Sequence, residues 1–581
     1  MWPFTSSYPE RSLHDLRAEY DYIVVGGGTA GCVLARRLSE DGRSTVLLIE
    51  RGDARNSWLD STPLLSMYQI SDGKHASTIQ SVTSKPLGRS FALACGKGLG
   101  GTTRINGDQY TCGVPAQFNA WSQQGRKGWS YKDLKPYFDK SERWIGPVPK
   151  EYHGLNGPLQ VRSFEDYNYD SSRRAAEAAR SMGFLDIIDM HSPLEPSIGF
   201  NKMQFTLDSA GRRQSSFRAY IPQTFVEQHT NLHVCTNALA VKLEISEGSD
   251  GSLRAVGVDL QAIEGAGRRI ITVRRDIILT CGALRTPQLL LLSGVGPQDH
   301  LREVGVHVVR HTPGVGMNIQ DHMLIQTVYN CPLSDSLWAL IRRPTTLLRE
   351  IYKFVVYGTG WFLSTFAEME IFGMSSLIGP DGRQSTLTKD HLDSFDPKNL
   401  PDIAVFLSPL ADPKAPGVDR SKGIVGLIAG LLLAESYGSL CLSSLDPKVE
   451  PNIDLGYLTA PADYAALRAA LRVTVAMAQE MRAAGYQLED VVVPDISSDA
   501  ALDDFIAQRA DTMYHYTSSC RMAPEDDPRP GVVDDELRVH GIPNLRIADA
   551  SIFPTSPATH PQALVYATAE KCADLVQQSA P

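Results

Sequence analysis

Apolar residues in this chain follow two rhythms, and the stretch from Asp21 to Asp53 holds both. Tyr22-Ile23-Val24-Val25 is an unbroken apolar run of the kind that forms a buried parallel strand. The next apolar positions, Ala30, Val33, Leu34, Ala35 and Leu38, switch to helical spacing. Thr45 to Ile49 returns to a continuous strand-like run, which ends in Glu50. Further strand-like runs fall at 232–245, 253–262, 269–280 and 545–548, and another at 361–372. Helical patterns cover 117–142, 171–183, 335–357 with basic flanks, 461–484 and 563–577. These elements predict an α/β chain, α+β overall, that opens with a βαβ unit.

Gly26-x-Gly28-x-x-Gly31 fills the turn between the first strand and the helix. Gly26 permits a tight turn, Gly28 lets the backbone approach a pyrophosphate, and Gly31 lets helix and strand pack closely. The free N–H groups at the helix start suit an anion, and Glu50 suits the hydroxyls of an adenosine ribose. These residues predict a dinucleotide site and do not separate NAD from FAD.

The chain has 581 residues, 43% hydrophobic and 21% charged, enough for several cores of ordinary globular composition. Its net charge of −10 is spread without long runs, which argues against a nucleic-acid partner. The nine cysteines include no CxxC pair and read as reduced thiols, with no metal site. No apolar leader opens the chain, no Asn-x-Ser/Thr sequon occurs, and the longest apolar run, 423–434, is too short to cross a bilayer. The C-terminal Gln-Ser-Ala-Pro carries no peroxisomal or prenylation signal. A cytoplasmic protein without a membrane partner is the expectation.

Beyond the βαβ unit come short motifs in a fixed order. They are GKGLGGTTRINGD at 96–108, GALRTPQLLLLSGVGP at 282–297, PGVGMNIQDH at 313–322, HYTSSCRM at 515–522 and the DAS…H segment at 549–560. With GGGTAG at 26–31, this set resembles the glucose-methanol-choline (GMC) family of FAD-dependent oxidoreductases from end to end, and the aryl-alcohol oxidases within it.

The resemblance implies FAD, in a Rossmann-type FAD-binding domain with an inserted substrate domain of antiparallel sheet and helices. The FAD domain would be discontinuous, from 1–160, 213–325 and 511–581, and the substrate domain would comprise 161–212 and 326–510. Carried over by position, Gly26, Gly28, Thr29, Ala30 and Gly31 would hold the pyrophosphate and Glu50 the ribose. Thr102, Asn106 and Gly107 would line the ribityl chain and the flavin's reactive edge, and Ala240 would meet the adenine. Asp549 and Ala550 would contact the pyrophosphate-ribityl region, and Pro561 the pyrimidine end of the flavin. Some members attach FAD through a histidine just before the asparagine; Ile105 stands there, so the resemblance implies non-covalent FAD.

In chemistry, the resemblance implies oxidation of a primary alcohol, aromatic, benzylic or polyketide-derived, to the aldehyde. His515 would take the hydroxyl proton while the α-carbon passes hydride to flavin N5, and His560 would hold the hydroxyl and the developing alkoxide. Oxygen or another acceptor would reoxidise the flavin. Trp361, Phe366, Phe406 and Tyr516 are candidate pocket walls, with Met513 and Tyr514 beside them; His153, His322 and His540 read as structural. Three positions depart from the family pattern: Cys95 for an arginine, Arg104 in a small-residue stretch, and Tyr516-Thr517-Ser518-Ser519 for Pro-Val-Gly-Thr. The last change motivates an alternative, a non-redox member such as a hydroxynitrile lyase or a secondary-metabolite cyclase that uses both histidines for acid–base chemistry.

Overall fold

The computed structural model describes residues 7–147 and 149–579. The first six residues and the last two, where the expectations of no leader and no C-terminal signal fall, lie outside the described residues.

Two eight-stranded sheets organise the chain. In the first, strand β1 (Glu19–Val25) lies between β2 (Val46–Ile49) and Arg268–Leu279, parallel to both. Leu232–Cys235 extends the sheet beyond β2, also in parallel. β1 and β2 read as unbroken apolar runs because helix α1 (Thr29–Ser39) and other elements leave almost no face of them in water. The long strand Arg268–Leu279 pairs antiparallel with Leu253–Ala262, and its end pairs parallel with Ile542–Ile547. The last part of the chain thus returns beside the first. The closing helix Gln562–Gln578 packs on α1, and Arg37 of α1 donates Nε to Glu570 at 2.7 Å.

The second sheet is almost wholly antiparallel, with Gly423–Leu431 between Met323–Cys331 and Ile403–Ser408. The apolar run at 423–434 is therefore a sheet strand, buried on both faces. Side chains alternate across the sheet. Ile325, Leu427, Ala429, Val405 and Ile371 join the main core on the side covered by helix Pro461–Ala483. The other parity brings Leu324, Ile428, Phe406 and Glu370 to the opposite face, where Glu370 and Phe406 are cross-strand partners.

Four sequence expectations change. The run at 232–245 forms two strands, Leu232–Cys235 and Ala238–Glu247, at opposite ends of the strand order, with Asn237 at φ +52° between them. The pattern at 117–142 forms two helices, Pro115–Gln123 and Tyr131–Ser141, because Gly125 and Gly128 adopt positive φ between them. The helix expected at 335–357 is broken before Pro344, which disfavours helical backbone at Arg343. Only Met369–Gly373 of the 361–372 run is a strand; Trp361–Leu363 forms a 3₁₀ turn after Gly360 at φ +98°.

Candidate functional site

The glycine turn between β1 and α1 is built by steric necessity. A Cβ on Gly31 would stand 1.8 Å from the Gly26 carbonyl oxygen, so helix and turn could not meet. Gly26 itself sits at φ +106°, and a Cβ there would lie 2.5 Å from the Thr280 carbonyl oxygen. Gly28 caps α1 with no side-chain acceptor, which leaves first-turn N–H groups for a ligand. At the end of β2, Glu50 is buried and accepts from the N–H groups of Gly27 at 2.8 Å, Gly52 at 2.7 Å and Gly98 at 3.0 Å. A carboxylate offers about four acceptor positions, so this one keeps capacity for one more donor.

A single cavity of about 540 Å³ opens at this turn. Gly26, Gly28, Thr29, Ala30, Glu50, Thr102, Asn106, Gly107, Ala240, Asp549, Ala550 and Pro561 all line it, and so do His515 and His560. Gly31 lies behind the wall, where its role is the close packing described above. Phe366, Phe406, Tyr516, Met513 and Tyr514 also line the cavity, with the Phe366 and Phe406 rings 6.2 Å apart and edge to face. Trp361 does not. It packs 5.8 Å from the Tyr169 ring, in a separate cluster with Leu64, Leu337 and Leu340.

Supporting bonds fix the wall. Asn106 donates Nδ2 to Gln562 and accepts from Arg213 Nη1 at 2.6 Å; Arg213 in turn pairs with buried Asp108 at 2.8 Å. Asp549 accepts from Gly282 N at 2.8 Å, Thr286 Oγ1 at 2.6 Å and Ser551 N at 2.9 Å, and burial pushes its carboxyl above the usual range. Ile105 presents an apolar side chain to the cavity at the position where a linking histidine would stand. Arg104 is buried away from it, paired with Asp60 at 3.1 Å and bonded to the Arg55 carbonyl. Two cations absent from the sequence reading, Arg51 and Arg285, line the cavity near Glu50.

The histidines form a chain of three. His515 and His560 stand edge to face with ring centres 5.1 Å apart. His560 is buried, and its Nε2 lies 3.0 and 3.2 Å from the two oxygens of buried Glu370. On the other side, Nδ1 of His515 lies 2.9 Å from Nδ1 of His322, whose Nε2 lies 3.0 Å from Ser556 Oγ. Burial lowers the His515 imidazole well below its ordinary 6.5, and His322 and His560 add to the shift. Burial, with His560 nearby, lowers His322 to about 3. The backbone holds His515 from below: its N–H donates to Asp321 Oδ1 at 2.7 Å, and Asp321 also accepts from Thr512 at 2.6 Å and from Tyr457. Tyr514, next to His515, adopts φ +61°, an uncommon conformation for a bulky residue.

The altered 516–519 segment is scaffold as much as wall. Thr517 exchanges backbone bonds with Gln320 at 2.9 and 3.2 Å, and Ser519 Oγ donates to the Ala283 carbonyl at 2.5 Å. His153 lies outside the cavity, held by Glu142 at 2.8 Å and Asp189 at 3.3 Å, which raise its imidazole to about 9 against the cost of burial. His540 is held locally, its Nε2–H donating to the Ala523 carbonyl at 2.9 Å. Glu370 and the His322 contact were missed from the sequence. Their signals were present: two glutamates inside an apolar run, and a histidine following Asp321 in a glycine-marked block.

The model of the GMC oxidoreductase family matches residues 20–324 and 434–569. An oxygen-dependent choline dehydrogenase of Stenotrophomonas maltophilia (strain K279a) is 32% identical over 572 residues, 97% of this chain and 96% of its own. The structure of pyridoxine 4-oxidase from Mesorbium loti is similar with a TM-score of 0.80 and 26% identity, over 97% of this chain and 100% of that one. A fungal aryl-alcohol oxidase shares the fold with a TM-score of 0.79 and 22% identity, over 97% and 99% of the two chains. Among the described residues, no helix is long and apolar enough to cross a membrane.

Proposed function

Because this chain belongs to the GMC oxidoreductase family, and is thus an FAD-dependent alcohol oxidoreductase, we propose that it oxidises a primary, aromatic or benzylic alcohol with His515 as base and His560 as hydroxyl anchor. The observation that carries this reading is the single cavity lined by the glycine turn at one part and by both histidines at another. The residues fit the cofactor. First-turn N–H groups of α1 would hold the diphosphate, Glu50 has capacity for a ribose hydroxyl, and Asn106, Ala550 and Pro561 would lie along the rest. Ile105 offers no nucleophile, in keeping with non-covalent binding. FAD bound there supplies the oxidant, taking two electrons and a hydrogen from the alcohol carbon.

The remaining chemistry belongs to the side chains. His515 is neutral at ordinary pH because burial disfavours its cation. If its Nδ1–H donates to His322, and His322 Nε2–H to Ser556 Oγ, then Nε2 of His515 is left as the free acceptor for the hydroxyl proton. Glu370 accepts the Nε2–H of His560, and its carboxylate supports a second proton on Nδ1, the donor that the alcohol oxygen and the developing alkoxide require. Phe366, Phe406, Leu324 and Met513 give the substrate end an apolar lining that suits an aryl group. On this reading 1–160, 213–325 and 511–581 hold the cofactor, and 161–212 with 326–510 cover the substrate.

The test is anaerobic mixing of the yellow holoprotein with a panel of benzylic, aliphatic and quaternary-ammonium alcohols. Bleaching of the oxidised flavin by benzylic alcohols, abolished in His515→Ala with FAD still bound, is the expected result. No bleaching by any alcohol, or turnover that persists when the flavin is kept fully reduced and so cannot accept a hydride, would overturn it.

A further inference from the structure

The helix Pro344–Tyr352 and the wider turn Lys353–Tyr357 that continues it are amphipathic the wrong way round. Their acidic residue points inward: Glu350 is 0% exposed and accepts from Trp361 N, Arg349 Nε and Lys353 Nζ, each at 3.0 Å. Their apolar residues point outward, with Leu348 at 66% and Val355 at 73% exposure and Val356 and Tyr357 also exposed. The adjoining loop adds to the same surface. Trp58 is exposed and its ring lies 6.4 Å from that of Phe354. A contiguous apolar face of this kind on a soluble surface marks an interaction site.

The charges beside it select the partner. Arg342 and Arg343 precede the helix, are exposed, and enter no ion pair among the described residues. They form a cationic edge on a chain whose net charge is −10. We infer that this face docks on a lipid bilayer with anionic headgroups, with Leu348, Val355, Val356, Tyr357 and Trp58 at the acyl boundary and Arg342 and Arg343 against the headgroups. An interfacial helix with apolar and basic residues binds in this way without spanning the membrane. A second copy of the chain fits less well, since a two-fold contact would bring the two arginine edges onto one another's patch. The expectation of no membrane partner rested on the absence of a spanning segment, and surface docking needs none. Trp58 is joined through the short helix Pro63–Ser66 to the 3₁₀ turn Met67–Ser71, whose Ile70 lines the cavity, so one segment links the docking face to the cavity.

The experiment is co-sedimentation of the full-length holoprotein with vesicles of phosphatidylcholine alone or with phosphatidylserine added. The protein is expected in the pellet with anionic vesicles, and salt should release part of it. Val355→Asp with Leu348→Asp, and separately Arg342→Glu with Arg343→Glu, should each weaken binding by about tenfold or more. Alcohol turnover in free solution should be unchanged, because none of the four lines the cavity. Three results would overturn the inference: no sedimentation with either vesicle, sedimentation that neither variant alters, or a solution dimer that Val355→Asp dissociates.

Discussion

Replacing Glu370 by glutamine keeps the size of the side chain and removes its charge, at a site with nowhere else for that charge to go. Glu370 is 1% exposed, and both its oxygens lie within 3.2 Å of His560 Nε2. Hydrogen bonds to a charged group contribute about 1.5–3 kcal/mol. If that energy orients His560 toward the transition state, its loss slows flavin reduction by about 10- to 150-fold. Glutamine also offers Nε2 only a neutral oxygen or an amide N–H, so it cannot support the second proton that lets His560 donate to the alcohol oxygen. Stopped-flow reduction under anaerobic conditions measures the rate, and the flavin absorbance reports whether the cofactor is still bound. Because Glu370 does not line the cavity, its effect should run through His560 alone. In a His560→Ala background, Glu370→Gln should therefore cost almost nothing more. A Glu370→Gln enzyme that reduces its flavin at the normal rate would refute this reasoning, as would full additivity of the two changes.

Three further outcomes follow from the structure. Gly31→Ala places a methyl group 1.8 Å from the Gly26 carbonyl oxygen, so the purified protein should be largely colourless, with an FAD content far below wild type. The rate of flavin reduction should stay flat as pH falls through 6.5 and decline only in more acidic solution, because the lowered His515 imidazole remains a base there. The same burial makes stability fall with pH. His322 protonates near 6.5 when unfolded and only at about 3 when folded, so its contribution is full above 6.5 and drains away between those values. Thermal melting between pH 7 and pH 4 would reveal this as a falling midpoint, to be compared with a His322→Asn variant.

The parts legible in the sequence are those where chemistry dictates the backbone. Gly26, Gly28 and Gly31 can be read because no other residue fits against Thr280 and the Gly26 carbonyl, and β1 and β2 because parallel strands buried on both faces leave continuous apolar runs. The site walls were harder. Phe366 and Phe406 line the cavity and Trp361 does not, though all three lie in aromatic, strand-like sequence. What separates them is the turn at Gly360 and the register that pairs Glu370 with Phe406, neither of which a local pattern encodes. Glu370 was passed over for the same reason. Its partner stands on the last segment of the chain, and sequence neighbours say nothing about that encounter. Arg104 looked like an intrusion into a cofactor loop, yet its guanidinium turns back to Asp60 and leaves the cavity wall to its neighbours.

The return of the final segment to the first sheet has a consequence for the making of the protein. Ile542–Ile547 completes the sheet beside Arg268–Leu279, and the closing helix seals α1. While the ribosome is still working, the nascent chain carries the glycine turn without Asp549, Ala550 or Pro561, and with no histidine pair. The cavity wall cannot close before the segment 549–561 has been made, and a chain cut short of Ile542 exposes the apolar edge that this strand and helix cover. The cavity that spans the glycine turn and the two histidines is thus among the last features of the fold that synthesis can complete.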